Sequence, residues 1–257
     1  MRTLVFGKFG CASPVSGQAL LDDVCRRAGR DGYEAVIGPM DGDTWHTYRL
    51  VIESEGSAPF LMEPPENAAA IEALDRSGFQ IINRYFSARL PVEQVADGAI
   101  QEATDLRIDA WDGSNPDAFF AEVHDLSCQA FAGNPFYQPI SRGAFLDLYR
   151  PYVPMMRPDL IFFARDASGS AQGFLFGIPN YLERPEPRSV ILKTYAGIRR
   201  GVGSRLSAHF HSAARRLGFE NVIHALIHDD NVSAARSEAL GAEVFRRYAL
   251  FGRRLNG

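Results

Sequence analysis

The sequence predicts an α+β fold, and three observations support this prediction. From residue 105 onward, apolar residues recur with strand and helix spacing in the order β-α-α-β-β-β-α-β-α-β. The second half also contains a strand, a glycine-rich turn, a helix and a further strand in succession, which is a βαβ unit. The first 90 residues repeat part of this order. The chain therefore combines hairpin connections with a crossover connection.

Residues 105–178 supply a strand, two helices and a hairpin. The predicted elements are, in order, a strand at 105–111, a helix from Asn115-Pro116, a loop at 133–139, a helix from Ser141, and a hairpin of 160–164 and 173–178. Asn115 is a favoured N-cap and Pro116 fits the first helical position, which fixes where the first helix begins. The polar run at 166–170 is typical of a hairpin turn.

Residues 189–228 form the predicted βαβ unit. Residues 189–196 are β-branched and apolar, which predicts a buried strand, and 221–228 predict the next strand. The helix between them carries one apolar stripe, made of Val202, Leu206, Phe210, Ala213 and Leu217. The turn at 201–204 opens this helix, so its backbone N–H groups and the helix dipole point at one spot. That spot favours a phosphate group, and a purely structural turn is the alternative.

The charges are unevenly distributed along the chain. Residues 1–95 hold 9 Lys and Arg against 13 Asp and Glu, a balance of −4, whereas residues 96–257 hold 18 of each. The 33 residues from 187 to 219 contain seven basic residues and no acidic one. Because the chain is acidic overall and the window lacks the aromatic interleaving of a stacking platform, a small polyphosphate fits this window better than a nucleic acid. The arginines at 246, 247, 253 and 254 are predicted to lie at solvent-facing positions of a terminal strand.

The composition, with 46% hydrophobic and 23% charged residues, is that of an ordinary soluble globular protein. No apolar run approaches the roughly 20 residues of a membrane helix, and the N-terminus lacks a secretory signal. We therefore expect a cytoplasmic location without a membrane partner. Cys11, Cys25 and Cys128 form no CxxC pair, so we expect buried free thiols. The histidines show no metal-binding spacing, and we expect no metal.

An internal repeat relates the two ends of the chain. Residues 32–37 match 218–223 at an offset of 186, and residues 78–85 match 241–248 at an offset of 163, which leaves a 23-residue insertion in the first copy. Within the insertion, Asp43 is interpreted as a helix N-cap followed by a half-buried aromatic residue. No strand with a G-x-G turn is predicted before the first helix, so we expect this copy not to bind the same phosphates. The predicted domains are 1–95 and 96–257, with a linker at 91–104.

The order of elements and the run Ile198-Arg199-Arg200-Gly201-Val202-Gly203 resemble the GCN5-related N-acetyltransferase superfamily, whose signature turn is Q/R-x-x-G-x-G/A. The resemblance covers residues 105–257 and, in degenerate form, 1–90. It implies a central mixed, mostly antiparallel sheet flanked by helices, with a smaller N-terminal half of the same kind. It also implies that an acetyl group passes directly from acetyl-CoA to an amine.

The resemblance further implies a set of cofactor-binding residues. The pyrophosphate turn would be Arg199, Arg200, Gly201, Val202, Gly203 and Ser204. The backbone of Tyr195 and Ala196 would pair with the pantetheine arm and polarise the thioester carbonyl, and Asn231 would also meet this arm. Backbone amides aimed at developing negative charge are an effective way to stabilise an oxyanion.

The chain departs from the superfamily pattern at the catalytic positions. Ile198 stands at the first motif position, and the connection from strand to motif is about three residues short. Ser237 stands where the superfamily commonly has a tyrosine that protonates the leaving thiolate, and a serine could at best order a water. His228 and Glu238 are the general-base candidates, together with Asp229. For each of them, a helix cap or solvated terminus is the alternative.

Three functional hypotheses follow. The first is an acetyl-CoA-dependent acyltransferase acting on a small-molecule or protein amine, with acceptor contacts from Phe136, Tyr137 and Tyr149, which could instead be core residues. The second is a non-catalytic acyl-CoA sensor, favoured by the missing tyrosine. The third, from the basic C-terminal end, is a nucleic-acid or protein-docking role. The acceptor is left open, because acceptor pockets in such folds are built from loops whose chemistry varies freely. The oligomeric state is also left open, with a homodimer as one candidate.

Overall fold

The computed structural model describes residues 1–95 and 105–255 and divides the chain into two compact units. The first unit contains Met1–Ser87, Leu226–Ala234 and Val244–Gly257, and the second contains Ala88–Ala225 and Ala235–Glu243. The predicted domain boundary after residue 95 lies beside residues 96–104, which are outside the described range, and it stays a prediction. Part of the predicted linker at 91–104 has regular structure, because Val92–Gln94 forms a 3₁₀ turn in which Val92 is buried.

The first half contains four strands and two helices. They are β1 (Thr3–Val5), α1 (Pro14–Arg30), β2 (Ala35–Gly38), β3 (Leu50–Ser54), α2 (Ala68–Arg76) and β4 (Gln80–Pro91). The elements of the second half are β5 (Arg107–Ala110), α3 (Pro116–Phe131), α4 (Arg142–Tyr149), β6 (Ile161–Arg165), β7 (Ala171–Pro179), β8 (Ser189–Gly197), α5 (Val202–Arg216), β9 (Asn221–His228), α6 (Val232–Ala239) and β10 (Glu243–Arg254). This second order is the predicted one, with two short 3₁₀ helices added between α4 and β6.

The predicted helix starts in the second half are confirmed by their caps. The Asn115 side chain accepts a hydrogen bond from the Ala118 N–H, and the Ser141 hydroxyl accepts one from Ala144, both at 3.2 Å. Each cap satisfies one of the four N–H groups that the first turn of a helix leaves without a carbonyl partner.

In the second unit the strands follow the order β9-β8-β7-β6-β5, with β8 and β9 parallel and the other pairs antiparallel. Helices cover both faces. Phe162 belongs to the apolar cluster that contains Leu206 and Phe210 of α5, whereas Phe163 packs on Phe119 of α3 with ring centroids 5.6 Å apart. Because adjacent strand residues point to opposite faces, α5 and α3 lie on opposite sides of the sheet. The predicted mixed sheet flanked by helices is confirmed.

In the first unit the strand order is β1-β2-β10-β4, and β3 also pairs with β10. The core of this unit is formed by α1, α2 and the sheet, with Leu21, Leu74 and Val36 nearly inaccessible to solvent. The last strand of the chain therefore completes the sheet of the first unit through antiparallel pairing of β10 with β2.

The C-terminal ends of α1 and α5 have the same local geometry, at the positions that the internal repeat aligns. After α1 and after α5, a glycine with positive φ (Gly32, +76°; Gly218, +81°) is followed by an N–H that returns to the helix, from Tyr33 to Ala28 at 3.0 Å and from Phe219 to Ala214 at 3.1 Å. Only glycine adopts this left-handed conformation without strain, which explains the two matched G-aromatic pairs. A strand does precede the first helix, since β1 pairs in parallel with β2, as β8 does with β9, but the segment between β1 and α1 contains no G-x-G turn.

Candidate functional site

The end of strand β8 has one free edge. The ladder between β8 and β9 runs from Ser189 opposite Asn221 to Leu192 opposite His224, and among the described residues it continues no further. On the other edge, the Ile198 N–H donates to the Gln172 carbonyl of β7 at 2.9 Å. Because alternate residues of an antiparallel strand point their polar groups to opposite edges, Tyr195 directs its backbone N–H and C=O away from β7.

The turn after β8 presents backbone donors at the start of α5. Gly201 is the N-cap residue and has φ of +86°, a conformation that favours glycine. The first hydrogen bond of the helix runs from the Arg205 N–H to the Gly201 carbonyl. The N–H groups of the residues from Gly201 to Ser204 are the four that an α-helix leaves without a helical acceptor, and no side chain caps them. The Val202 N–H donates to the Arg199 carbonyl at 3.4 Å, so the donors available to a ligand are those of Gly201, Gly203 and Ser204. Together with the helix dipole, they form a site with the chemistry of an anion binder.

An arginine that the sequence analysis missed lies over this helix start. The Arg236 guanidinium, on α6, donates to the Tyr195 hydroxyl oxygen at 2.7 Å and to the Ser204 hydroxyl at 2.9 Å. Gly203 lies beneath it, and a Cβ atom at this position would be 3.1 Å from the Tyr195 ring and 3.4 Å from Arg236. The absence of a side chain at Gly203 is what lets the tyrosine ring and the guanidinium approach the helix start so closely.

Several arginines of the basic window are already paired. Arg199 donates to Asp105 at 2.7 Å, and this hydrogen bond holds the pKa of the Asp105 carboxyl below its usual value. Arg188 pairs with Glu220, and Arg215 donates to the backbone carbonyls of Val92 and Val95. The absence of acidic residues between 187 and 219 therefore exaggerated the charge available for a ligand, because acids outside the window compensate part of it.

The C-terminal arginines are also engaged in the fold of the first unit. The interpretation of these arginines as solvent-facing residues at alternate strand positions does not hold for Arg246, whose side chain is 1% exposed and forms a buried ion pair with Glu63. It also donates to the Ser57 carbonyl at 2.5 Å. Arg253 donates to the Ser77 carbonyl at 2.6 Å. These arginines anchor loops of the first unit.

Two buried histidines and Ser237 form a hydrogen-bonded chain in the second unit. His211 Nδ1 lies 2.6 Å from the Ser207 carbonyl oxygen, His211 Nε2 lies 2.9 Å from His224 Nε2, and His224 Nδ1 lies 2.7 Å from Ser237 Oγ. Burial, together with the neighbouring His211, lowers the pKa of His224 to about 3, so this ring is neutral at neutral pH. All three side chains are less than 5% exposed.

The Ser207 carbonyl determines which atom donates in each of these three hydrogen bonds. A carbonyl only accepts, so His211 carries its hydrogen on Nδ1, and its Nε2 accepts from His224. His224 Nδ1 is then an acceptor, and the Ser237 hydroxyl must donate to it. The one hydroxyl hydrogen of Ser237 is thus used inside the protein, which leaves none for a leaving group in this arrangement.

The other catalytic candidates occupy less favourable positions than predicted. In the first unit, His228 Nδ1 accepts from the Asp230 N–H at 3.1 Å, and its Nε2 lies 2.6 Å from the Asn83 amide. The lone pair that a general base needs is therefore already in use. Glu238 is exposed near the end of α6, as its alternative interpretation predicts. Asn231 is exposed at the start of α6 and accepts a long 3.4 Å bond from Ser233.

The three aromatic candidates for the acceptor pocket lie on or after helices α3 and α4. Tyr149 stacks on Phe120 with centroids 6.0 Å apart and contacts Phe145 at 4.6 Å, which is the core packing given as the alternative. Phe136 and Tyr137 lie half-buried in the loop after α3, and Phe136 has φ of +60°. Tyr149 therefore belongs to the packing between α3 and α4, whereas Phe136 and Tyr137 are half-buried residues of the loop.

Two signals in the sequence could have revealed the missed residues. His224 interrupts an apolar strand between Ile223 and Ala225, and a buried polar side chain requires a partner. Arg236 is the one basic residue in the short helix α6 and directly precedes Ser237. Neither signal identifies the partner, because the contacts depend on how α5, α6 and the sheet pack.

The matching region of the first unit is closed to an anion. Ser13 caps α1 by accepting from the Ser16 N–H at 3.2 Å, and Pro14 removes another donor. A Cβ at Gly17 would lie 2.7 Å from the Cys11 sulfur, so the preceding loop covers the helix start. That the first copy does not bind the same phosphates stays a prediction. Asp43 caps no helix, contrary to its interpretation, and instead accepts from the Trp45 N–H at 2.9 Å in a turn.

The part of the chain that the structure describes contains neither a metal-binding cluster nor a membrane-spanning helix. Within 1–95 and 105–255, no three His, Cys, Asp or Glu side chains are grouped so that they could hold a metal ion. No helix in these ranges has the length and apolarity needed to cross a membrane.

Comparison with solved structures shows the fold. A tandem GNAT protein from the clavulanic acid biosynthesis pathway matches with a TM-score of 0.54 at 16% identity, over 93% of this chain and 70% of that protein. A GCN5-related N-acetyltransferase from Sphaerobacter thermophilus matches with a TM-score of 0.53 at 15% identity, over 74% of this chain and 58% of that protein. One from Kribbella flavida matches with 0.50 at 12% identity, over 95% and 77%. No protein-family profile and no curated sequence matches. The chain has the fold of the GCN5-related N-acetyltransferases, in a tandem form.

Proposed function

We propose that this protein is an acyltransferase that moves an acetyl group from acetyl-CoA to a primary amine of a small molecule or a protein, by direct attack of the amine. One observation carries the proposal. The uncapped start of α5, with Arg236 above it, lies beside the free edge of β8, in a fold shared with N-acetyltransferases.

The residues at the start of α5 fit the diphosphate of coenzyme A. The N–H groups of Gly201, Gly203 and Ser204 would donate to the phosphate oxygens, and the Arg236 guanidinium would supply positive charge. The bare Cα of Gly203 keeps the space that a diphosphate needs, since even a Cβ would contact the Tyr195 ring. Arg199 would contact the diphosphate through its backbone rather than its side chain, because its guanidinium is paired with Asp105.

Acetyl-CoA, when bound, supplies an acetyl group activated as a thioester. The N–H of Tyr195 at the free edge of β8 is placed to donate to a carbonyl along that edge, and such preorganised donors stabilise developing negative charge. The Tyr195 hydroxyl oxygen accepts from Arg236. Its own hydrogen is thus left to donate to a second, negatively charged acceptor, as a phosphate or thiolate would be.

A non-catalytic acyl-CoA sensor is the second candidate, and a specific observation favours it. The hydrogen of Ser237 is used by His224, and the lone pair of His228 Nδ1 is used by Asp230. Acid and base roles at these two positions would therefore require rearrangement. Such a sensor would keep the phosphate contacts and lack turnover.

Calorimetry and a thiol-release assay separate these candidates. We expect acetyl-CoA to bind with measurable heat and a panel of primary amines to include at least one that releases free CoA thiol. Tight binding without release for any amine would support the sensor. The absence of heat at millimolar acetyl-CoA would exclude both. The amine acceptor, the cytoplasmic location and the oligomeric state remain predictions alongside this proposal.

The substitution Ser237→Ala distinguishes a structural serine from a catalytic one. Since the hydroxyl donates to buried His224, we expect the variant to lose about 1–3 kcal/mol of unfolding free energy through the unpaired Nδ1. We expect thiol release to change by less than about threefold, whereas loss of a general acid costs about a hundredfold or more. Denaturant unfolding and the thiol assay measure the two effects. Glu238→Gln, at the exposed neighbouring position, is the control and should alter neither.

A further inference from the structure

A cysteine, a histidine and an aspartate form a cluster on helix α3 in the second unit. His124 and Cys128 are four residues apart and therefore share one face of the helix. The Cys128 sulfur lies 3.5 Å from His124 Nε2, and His124 Nδ1 lies 3.0 Å from the carboxylate of Asp125. The sequence analysis expected all three cysteines to be buried. That was wrong for Cys128 and Cys11, which are only partly buried, whereas Cys25 is buried.

The hydrogen bonds of His124 determine its state. Its Nε2 lies 2.9 Å from the Ile140 carbonyl oxygen, and its Nδ1 faces the Asp125 carboxylate. Both partners only accept, so both ring nitrogens donate, as in the imidazolium form. The single hydrogen on Nε2 is shared between the Ile140 carbonyl oxygen at 2.9 Å and the Cys128 sulfur at 3.5 Å. The Phe145 ring meets the imidazole edge to face, with centroids 5.4 Å apart, and helps to fix its plane.

Asp125 is held in its ionised form. Arg142 donates to both carboxylate oxygens, at 2.9 and 2.7 Å. The hydrogen bond from His124 and then those from Arg142 lower the pKa of Asp125. Because the carboxylate is fixed on two sides, it orients the imidazolium toward Cys128. A nucleophile, a histidine and a group that orients the histidine are the components of an activated side chain.

A second donor reaches the same sulfur from the loop after α3. A hydrogen bond with the Cys128 thiol, together with burial, raises the pKa of Tyr137 to about 12. Tyr137 therefore keeps its hydrogen and can donate it to the sulfur. An imidazolium and a phenol directed at one sulfur atom form the surroundings that stabilise a thiolate.

We propose that Cys128 is an activated nucleophilic thiol that exchanges acyl groups with thioesters. In this exchange the Cys128 thiolate attacks the thioester carbonyl carbon, a carbon–Sγ bond forms, and the bond from that carbon to the leaving sulfur breaks. The leaving thiolate takes its proton from the His124 imidazolium. One thioester replaces another, so no oxidant, reductant or further co-reactant is needed. The inference does not depend on the proposed acetyltransferase activity.

Alkylation with iodoacetamide tests the thiolate. An ordinary thiol is about 1% ionised near pH 6.5, and its reaction rate rises about tenfold per pH unit below its pKa. A hydrogen-bond donor beside the Cys128 sulfur would favour the thiolate, which is the form that reacts with iodoacetamide. We expect Cys128 to react about tenfold faster than Cys11 near pH 6.5, with a weaker dependence of its rate on pH than that of Cys11. Peptide mass mapping assigns each alkylated cysteine.

The pH dependence of the alkylation rate in the wild-type protein, and the rates in two variants, test whether Cys128 is activated. His124→Gln removes the charge while keeping a donor, and Tyr137→Phe removes the second donor. Each should bring the Cys128 rate toward that of Cys11, while Cys25 stays protected. A Cys128 rate that rises with pH in parallel with Cys11 in the wild-type protein overturns the proposal without any variant. An unchanged rate in a folded His124→Gln protein, checked by thermal unfolding, overturns the role of the histidine.

A small thioester tests the acyl exchange. N,S-diacetylcysteamine lacks the nucleotide of coenzyme A, so its reaction does not require the site at the start of α5. We expect the Cys128 peptide to gain one acetyl group, as seen by mass spectrometry, and His124→Gln to reduce this labelling severalfold. Labelling spread equally over Cys11 and Cys128 would refute selective activation. A protein that fails to bind acetyl-CoA and still labels at Cys128 would contradict the proposed function alone.

Discussion

The variant Gly203→Arg is expected to lose acetyl-CoA binding and to keep its fold. A Cβ at this position would already lie 3.1 Å from the Tyr195 ring, and a longer side chain must extend over the N–H groups at the start of α5. Charge-assisted hydrogen bonds contribute about 1.5–3 kcal/mol each, so blocking two of them raises the dissociation constant by more than about a hundredfold. Titration calorimetry with acetyl-CoA measures this loss.

The fold of this variant should survive because arginine suits the interior of a helix better than glycine does. The difference is about 0.8–1 kcal/mol, which offsets part of the cost of moving Tyr195 and Arg236. Gly143→Arg provides a matched control, since the same substitution on α4 meets open space within 4 Å. Both variants should give circular dichroism and thermal unfolding close to the wild type. If Gly203→Arg binds acetyl-CoA with wild-type affinity, the diphosphate does not lie at the start of α5.

The local elements of the second half follow from the sequence because short-range rules determine them. Asn115 and Ser141 predict the starts of α3 and α4 through capping chemistry that involves only the next three residues. Gly218 predicts the end of α5, since its positive φ is costly for any other residue. Strand β1 escaped prediction because three residues, Thr3–Val5, are too few to show a period.

The candidate site followed from the sequence only in its backbone part. The glycine pattern at 201–203 depends on local conformation and so predicted where donors would be. Charge compensation is not local, and Arg199, a predicted ligand, is paired with an aspartate 94 residues earlier in the chain. Ser237 stands at the position of the proton donor in the superfamily. Its hydrogen-bond partner His224 follows only from the packing of α6 on the sheet.

The same distinction decides which arginine we expect to contact acetyl-CoA, and Arg236→Met is the second large effect we expect. The substitution removes the positive charge above the helix start and both hydrogen bonds of the guanidinium, to Tyr195 and Ser204. One hydrogen bond to a charged phosphate contributes about 1.5–3 kcal/mol, so the dissociation constant for acetyl-CoA should rise by about 10- to 150-fold. Titration calorimetry at low and high salt measures both the loss and its electrostatic part.

Arg199→Met is the matched comparison, because this arginine lies in the signature turn while its guanidinium is bound to exposed Asp105. An exposed ion pair contributes little, and we expect less than about a threefold change in affinity. Arg236→Lys keeps the charge but not the planar fork that reaches two oxygens at once, so its affinity should fall between those of the wild type and Arg236→Met. If Arg199→Met weakens binding more than Arg236→Met does, position in the motif outweighs pairing in the fold, and Arg236 is only a structural link between α5 and α6.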